Sequence, residues 1–221
     1  MNFCLYAIRA VADGAEAELS LSVDNGEHSQ HIKGRVSAAM LSDLGLPSSL
    51  RVPMMMDRDR CEEILRSMKL FAAIKKGIDL LGFAKNTPKA LKNKLKRKGY
   101  PDDVAEDAVA FLIQKGFIRE DDDAALFAMT LAQRKKYGPN RIKQEMFAKG
   151  FSSEIIRETV DMLDVDFAEI CASRMRSMGG LALFETQEDK KKYTASLLRY
   201  GFSYSDIREA QTILRENEAS E

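Results

Sequence analysis

LKNKLKRKGYPDDVAEDAVAFL, residues 91–112, is answered twice further along the chain, by IKQEMFAKGFSSEIIRETVDML at 142–163 and by YTASLLRYGFSYSDIREAQTIL at 193–214. The offset is 51 residues each time, without a gap. Gly99, Gly150 and Gly201 coincide, as do Tyr100, Phe151 and Phe202, and Leu112, Leu163 and Leu214. Leu95, Met146 and Leu197 keep one further position apolar. Self-similarity at a fixed period marks stacked supersecondary units. Each window reads as helix, corner, helix. The glycine takes the left-handed position that ends the first helix. The aromatic residue packs across the corner. Pro101-Asp102, Ser152-Ser153 or Ser203 then opens the second helix.

An apolar stretch before each window supplies a third helix, at about 70–82, 123–136 and 166–178. Thr87-Pro88 and Gly138-Pro139 separate it from the middle helix in the first two units, and a longer connector runs from Gly179 through Gln187 in the third. Three tandem three-helix modules are expected to form an elongated, curved body. Further upstream, Asp59 with Glu62 makes a capping-box pattern. The helical run that follows contains Gly77, a candidate break.

The first part of the chain has a different period. Residues 3–8 are rich in strand formers, and Leu19, Leu21 and Val23 alternate with polar or small residues. Asp24-Asn25-Gly26 is a hairpin signal. A third strand at roughly 29–36 completes a small antiparallel sheet, and Ser37 to Leu44 reads as a short helix. The expectation is therefore a mainly α chain with a small N-terminal β-sheet. Its segments are a β-rich extension over 1–56 and helical units over 57–116, 117–164 and 165–221.

Composition bounds the function. Lys+Arg and Asp+Glu each number 34 among 221 residues, so the formal net charge is zero. That excludes a globally basic nucleic-acid binder but not a local basic patch. No uninterrupted apolar run exceeds six residues, as at 108–113, whereas a membrane helix needs about 18 or more. No membrane association is expected. The start, Met1-Asn2-Phe3-Cys4, does not read as a secretory signal. Three widely spaced cysteines, Cys4, Cys61 and Cys171, fit a reducing cytoplasm.

Residues 85–98 hold seven Lys/Arg and no acid. At helical spacing Lys85, Lys89, Lys92 and Lys96 share one face, opposite Leu91 and Leu95. A second basic group comprises Arg134, Lys135 and Lys136 with Arg141 and Lys143, and a third Lys190, Lys191 and Lys192. Solvated helix faces and an anion-binding track both fit any one cluster. Clusters in three successive repeats favour a track for phosphates or for an acidic protein groove. Asp102, Asp103, Glu106 and Asp107 alternate with them, which suits a mixed protein contact.

The remaining chemistry-bearing residues carry little. His28 and His31, the two histidines, fall on opposite sides of a strand and cannot share a metal without a bulge. Asp121-Asp122-Asp123 reads as a helix start favoured by the dipole rather than a Mg²⁺ site. Gly179-Gly180 lacks the context of a phosphate loop. Met54-Met55-Met56 reads as core filler, and Cys61 and Cys171 as inert core thiols. No catalytic set, metal or cofactor is expected.

The corner pattern resembles the RecX family of bacterial regulators of the RecA recombinase. In the first unit the matching residues are Thr87, Ala90, Leu91, Lys94, Leu95 and Gly99. In the second they are Phe127-Ala128, Arg134, Gly138, Arg141-Ile142, Glu145-Met146 and Lys149-Gly150. The resemblance extends over about 65–215. Ala90 stands where the pattern carries Glu, Met146 where it carries Leu, and 119–125 is longer than usual. The resemblance implies a non-enzymatic regulator, a monomer in the cytoplasm. It would bind the RecA–DNA filament, block or disassemble it, and so modulate recombination, DNA repair and the SOS response, with weak non-specific DNA binding. The competing expectation is a helical protein that binds DNA directly, as transcriptional or architectural factors do.

Overall fold

A computed structural model describes residues 2–26 and 28–219; the outermost residues of the first and last expected segments, Met1, Ser220 and Glu221, lie outside the description. The chain divides into two compact units, one running to Asn86 with Ala90–Ile118, the other comprising Thr87–Lys89 and the described residues from Arg119 onward.

In the first unit, β1 (Asn2–Val11), β2 (Glu16–Asp24) and β3 (Ser29–Ser37) pair antiparallel in the order β3-β2-β1, joined on the far edge of β1 by β4 (Met54–Met56). The Asp24–Gly26 turn is tied by Asp24 Oδ1, which accepts from the Gly26 amide at 2.8 Å, and by Asn25 Oδ1, which accepts from the His28 amide at 2.8 Å. The three methionines read as filler therefore form an edge strand, with Leu5 opposite Met54 and Phe3 opposite Met56. Ser37 caps α1 (Ala38–Asp43) by accepting from the Met40 amide.

Helix α2 runs unbroken over Arg58–Phe83. Its N-cap is Asp57, whose Oδ1 accepts from the Arg60 amide at 2.8 Å, so the Asp59–Glu62 capping box is not used. Its first half closes the sheet: Cys61, Ile64 and Met68 join Leu5, Leu19, Leu21 and Val36 in one core. Its second half packs Ala73 and Ile74 against α3 (Pro88–Arg97) and α4 (Asp102–Gln114) through Leu91, Leu95, Val104, Ala108 and Leu112. Gly77 is a contact point rather than a break, since a Cβ there would lie 2.6 Å from Leu112 Cδ1. Leu91 and Leu95 are fully buried, each contributing about 1.5–3 kcal/mol by leaving water.

The second unit holds α5 (Glu120–Gln133), α6 (Pro139–Lys149), α7 (Ser153–Asp161), α8 (Phe167–Met178), α9 (Gln187–Arg199) and α10 (Tyr204–Ala219). The longer connector before α9 contains a 3-10 turn over Gly180–Phe184. As expected, Asp121, Asp122 and Asp123 occupy the first turn of α5, and Glu120 joins them there, where the helix dipole favours negative charge.

The three corners share one hydrogen-bond pattern. The amides of Tyr100, Phe151 and Phe202 donate to the carbonyls of Leu95, Met146 and Leu197 at 3.3, 3.2 and 3.2 Å. Between them Gly99, Gly150 and Gly201 have φ of 92°, 102° and 91°. This is the helix stop that a left-handed glycine allows. Ser152 then caps α7, accepting from the Ile155 amide. Ser203 and Asp206 cap each other ahead of α10, at 2.6 and 3.1 Å.

Candidate functional site

The lysine helix of the first repeat is not the open cationic stripe that spacing implies. Lys85 precedes α3, which starts at Pro88, so it does not lie on the helix face at all; proline suits a first helical position and holds the residue before it extended. Lys92 Nζ lies 3.1 Å from Asp102 and 3.0 Å from Glu106, and Lys96 Nζ 2.5 Å from Asp102. Glu106 first and then Asp102 raise the affinity of Lys92 for its proton. Hydrogen bonds from Lys96 and then Lys92 hold the Asp102 carboxyl below its ordinary range. Arg66 likewise pairs with Asp103 at 3.3 Å and with Asp107. The four acids read as interleaved for an outside partner are thus paired inside the first unit. Lys89, grouped with the second unit, places Nζ 5.9 Å from the Phe147 ring.

In the second repeat, Arg134 is the C-cap of α5 and Lys135 follows it, both exposed. Lys143 lies half-buried on α6. None of these three has an ion pair among the described residues. Arg141 pairs with Glu145 at 2.6 Å and lies 5.7 Å from the Tyr137 ring. In the third repeat, Lys190 and Lys191 are exposed on α9 and line a shallow cleft with Leu198 and Tyr204.

The start of α6 is fastened to the α9–α10 corner. The Gly138 amide donates to the Tyr200 carbonyl at 2.8 Å, and the Asn140 amide to the Gly201 carbonyl at 3.1 Å. A Cβ on Gly138 would lie 2.4 Å from the Gly201 carbonyl carbon, and one on Gly201 2.2 Å from the Arg141 nitrogen. The two backbones touch because neither residue has a side chain. Beside this contact the Tyr137 and Tyr200 rings lie 6.0 Å apart, and the Arg174 guanidinium stacks 3.7 Å over Tyr200.

Family models for two consecutive RecX modules match this helical region. The first three-helix domain matches residues 73–112 and the second 112–160. Over residues 73–160 the chain resembles RecX. The RecX fold extends beyond those modules. A crystal structure of regulatory protein RecX superposes with a TM-score of 0.68 at 18% identity, over 95% of this chain and 100% of that one. A RecX from Lactobacillus salivarius gives 0.61 at 21%, over 66% and 97%. Among sequences, the regulatory protein RecX of Clostridium botulinum is 28% identical over 56% of this chain and 59% of its own length. That of Stenotrophomonas maltophilia is 29% identical over 62% and 83%.

Against this RecX frame, the residues that spacing missed are Tyr137, Arg174, Arg199 and Tyr200. The signal lay in the repeat itself. Tyr200 stands where the first two corners carry Lys98 and Lys149. An aromatic residue there lets arginines stack on it. A larger cavity of about 900 Å³ lies in the first unit, lined by Met40, Leu70, Phe71, Ile78, Phe111 and Phe117 among others. It is an apolar seam between α1, α2 and α4 and contains none of the basic groups singled out above. His31 makes an edge contact with Tyr6, ring centres 5.6 Å apart. Burial pushes the Cys171 thiol up to about 12, which makes it a poor nucleophile. No described helix is long and apolar enough to cross a membrane.

Proposed function

We propose that this chain is a non-enzymatic cytoplasmic regulator that docks on the RecA–DNA filament, limits its growth or promotes its disassembly, and so tempers recombination, repair and the SOS response. Its relatives are named regulatory proteins, and the observation that carries the reading is the state of the cations. Arg134, Lys135 and Lys143 have no carboxylate partner among the described residues, while Lys92 and Lys96 are neutralised within their own unit. Unpaired cations on a packed module retain their full attraction for a polyanionic surface and give binding that weakens as salt rises. The second and third modules are therefore the docking face, and the first is a structural support. The test is RecA ATPase activity on single-stranded DNA with and without the protein. Dose-dependent inhibition that weakens with added salt is the expected result. An unchanged ATPase rate at saturating protein would reject the reading.

A further inference from the structure

The corner between the second and third repeats bears an open cleft of about 380 Å³, lined by Tyr137, Arg141, Ser196, Arg199 and Tyr200. That volume suits one nucleotide-sized group. We propose that this cleft binds the phosphodiester backbone of single-stranded DNA, with Arg199 and Arg141 engaging phosphate oxygens and the hydroxyls of Tyr137, Tyr200 and Ser196 completing the donor set. The inference deepens the filament reading by naming one DNA-contacting site within the proposed docking face.

Four observations converge on an oxyanion. Arg199 is exposed at the end of α9 and makes no ion pair among the described residues. The hydroxyls of Tyr137, Tyr200 and Ser196 likewise make no hydrogen bond among the described residues. Arg174, stacked on Tyr200, has a buried Nε without a hydrogen-bond partner, so it adds positive charge and fixes the ring. The ion-pair partner of these arginines is Glu145, on Arg141, which leaves the group with a surplus of cations. Guanidinium groups pair with phosphate oxygens through paired N–H donors, and tyrosines beside such a groove are the usual companions of single strands.

The site is also pre-organised and particular to this corner. The Gly138–Gly201 backbone contact sets Arg141 and Tyr200 on opposite walls without any loop between them. One repeat earlier, the positions equivalent to Tyr137, Arg141, Ser196, Arg199 and Tyr200 hold Asn86, Ala90, Glu145, Ala148 and Lys149. There the equivalent of the Gly138 amide bond is a bond from Thr87 Oγ1 to the Lys149 carbonyl, at 3.3 Å. The fastening to the neighbouring corner thus recurs, through a side-chain hydroxyl instead of a backbone amide, but the arginine–tyrosine lining does not.

The experiment measures fluorescence anisotropy of a labelled oligo(dT) of about 20 nucleotides, long enough to span one binding site, against the full chain, Arg199→Glu and Arg199→Gln. Melting curves check that each variant folds. We expect Arg199→Glu to weaken binding by about tenfold, and Arg199→Gln to make the slope of log K against log salt shallower by about 0.7, one single-strand phosphate contact. Wild-type affinity and slope in both folded variants, or no oligo(dT) binding by the wild type, would overturn the site. Equal, Arg199-dependent binding of a duplex would overturn the single-strand assignment. Arg199-dependent binding of ATP or inorganic phosphate, with oligo(dT) binding unaffected, would replace the backbone with a free phosphate group. Arg199-dependent RecA inhibition with Arg199-independent oligo(dT) binding would replace it with an acidic protein surface. Arg199-dependent oligo(dT) binding by a protein that fails to inhibit RecA would keep the site and reject the filament reading.

Discussion

Lys92 on α3 and Lys143 on α6 occupy the same place in successive repeats, 51 residues apart, yet Lys92 has two carboxylate partners and Lys143 has none among the described residues. The difference lies on the next helix. Asp102 and Glu106 of α4 correspond to Ser153 and Arg157 of α7. One scaffold therefore supports two electrostatic arrangements: in the first repeat the helix pair closes on itself, and in the second Lys143 keeps no carboxylate partner among the described residues. Basic residues in a repeat protein say little until the matching positions of the neighbouring helix are read with them. Surface pairs add only about 0–1 kcal/mol to stability, so what the pairing decides is which face remains available.

The largest effect should come from the corners that make the repeats alike. Gly99 and Gly201 have the same left-handed backbone, at φ of 92° and 91°. A Cβ on Gly99 would meet nothing within 4 Å, but one on Gly201 would strike the Arg141 backbone at 2.2 Å. Gly99→Ala should cost about 1 kcal/mol, the backbone strain alone. Gly201→Ala should cost more than about 3 kcal/mol, because backbone must also move. Urea unfolding midpoints give both values. Equal losses would show that the last corner is no more tightly docked than the first.

The charge difference can be broken by transplanting it. Ser153→Asp with Arg157→Glu gives Lys143 the carboxylates that Lys92 has, and an acid in the first turn of α7 suits the helix dipole. We expect the double variant to fold as the wild type and to inhibit the RecA ATPase several-fold less at physiological salt. The complementary single reversals should separate. Lys143→Glu should weaken inhibition with little change in melting temperature. Lys92→Glu should lower the melting temperature, since it sets a third acid beside Asp102 and Glu106, and leave inhibition near wild type. If Lys92→Glu is the variant that abolishes inhibition, the docking face belongs to the first repeat and our division of roles is reversed.

Much of this fold was legible in the sequence, because its strongest signals are local. The stop at Gly99, Gly150 and Gly201 needs only a glycine and an aromatic residue, and the buried leucines follow helical spacing. Features that depend on partners distant in sequence were not legible. Met54–Met56 forms a strand only because the edge of β1 is free. Gly77 looks like a helix breaker until Leu112 is seen against it. The basic stripe through Lys85, Lys89, Lys92 and Lys96 assumed one continuous helix and no neighbour. Pro88 interrupts the first assumption and Asp102 the second. Tyr200 and Arg199 were not legible as a pair because a repeat marks what recurs, and these residues stand where it does not.

The smallest effect we expect is an acid-side signature of the closed helix pair in the first repeat. Hydrogen bonds from Lys96 and then Lys92 hold the Asp102 carboxyl below its ordinary range, so the folded chain binds that proton more weakly than the unfolded chain. Stability from this group is therefore fully present above the ordinary carboxylate pKa of about 4 and is lost as pH falls through the lower folded value. Asp102→Asn removes the titration but leaves the helix start in place, because Pro101, the N-cap of α4, makes no side-chain cap bond. Melting temperatures measured from pH 6 down to strong acid should fall less steeply for Asp102→Asn than for wild type below the ordinary carboxylate range, and run parallel to it above. The second repeat supplies the control: Ser153, at the matching position, carries no charge to lose, so Ser153→Asn should leave the acid limb unchanged. Parallel wild-type and Asp102→Asn curves throughout would mean that Asp102 is not held by Lys96 and Lys92 in solution, and the contrast between the repeats would rest on the Lys92–Glu106 pair alone.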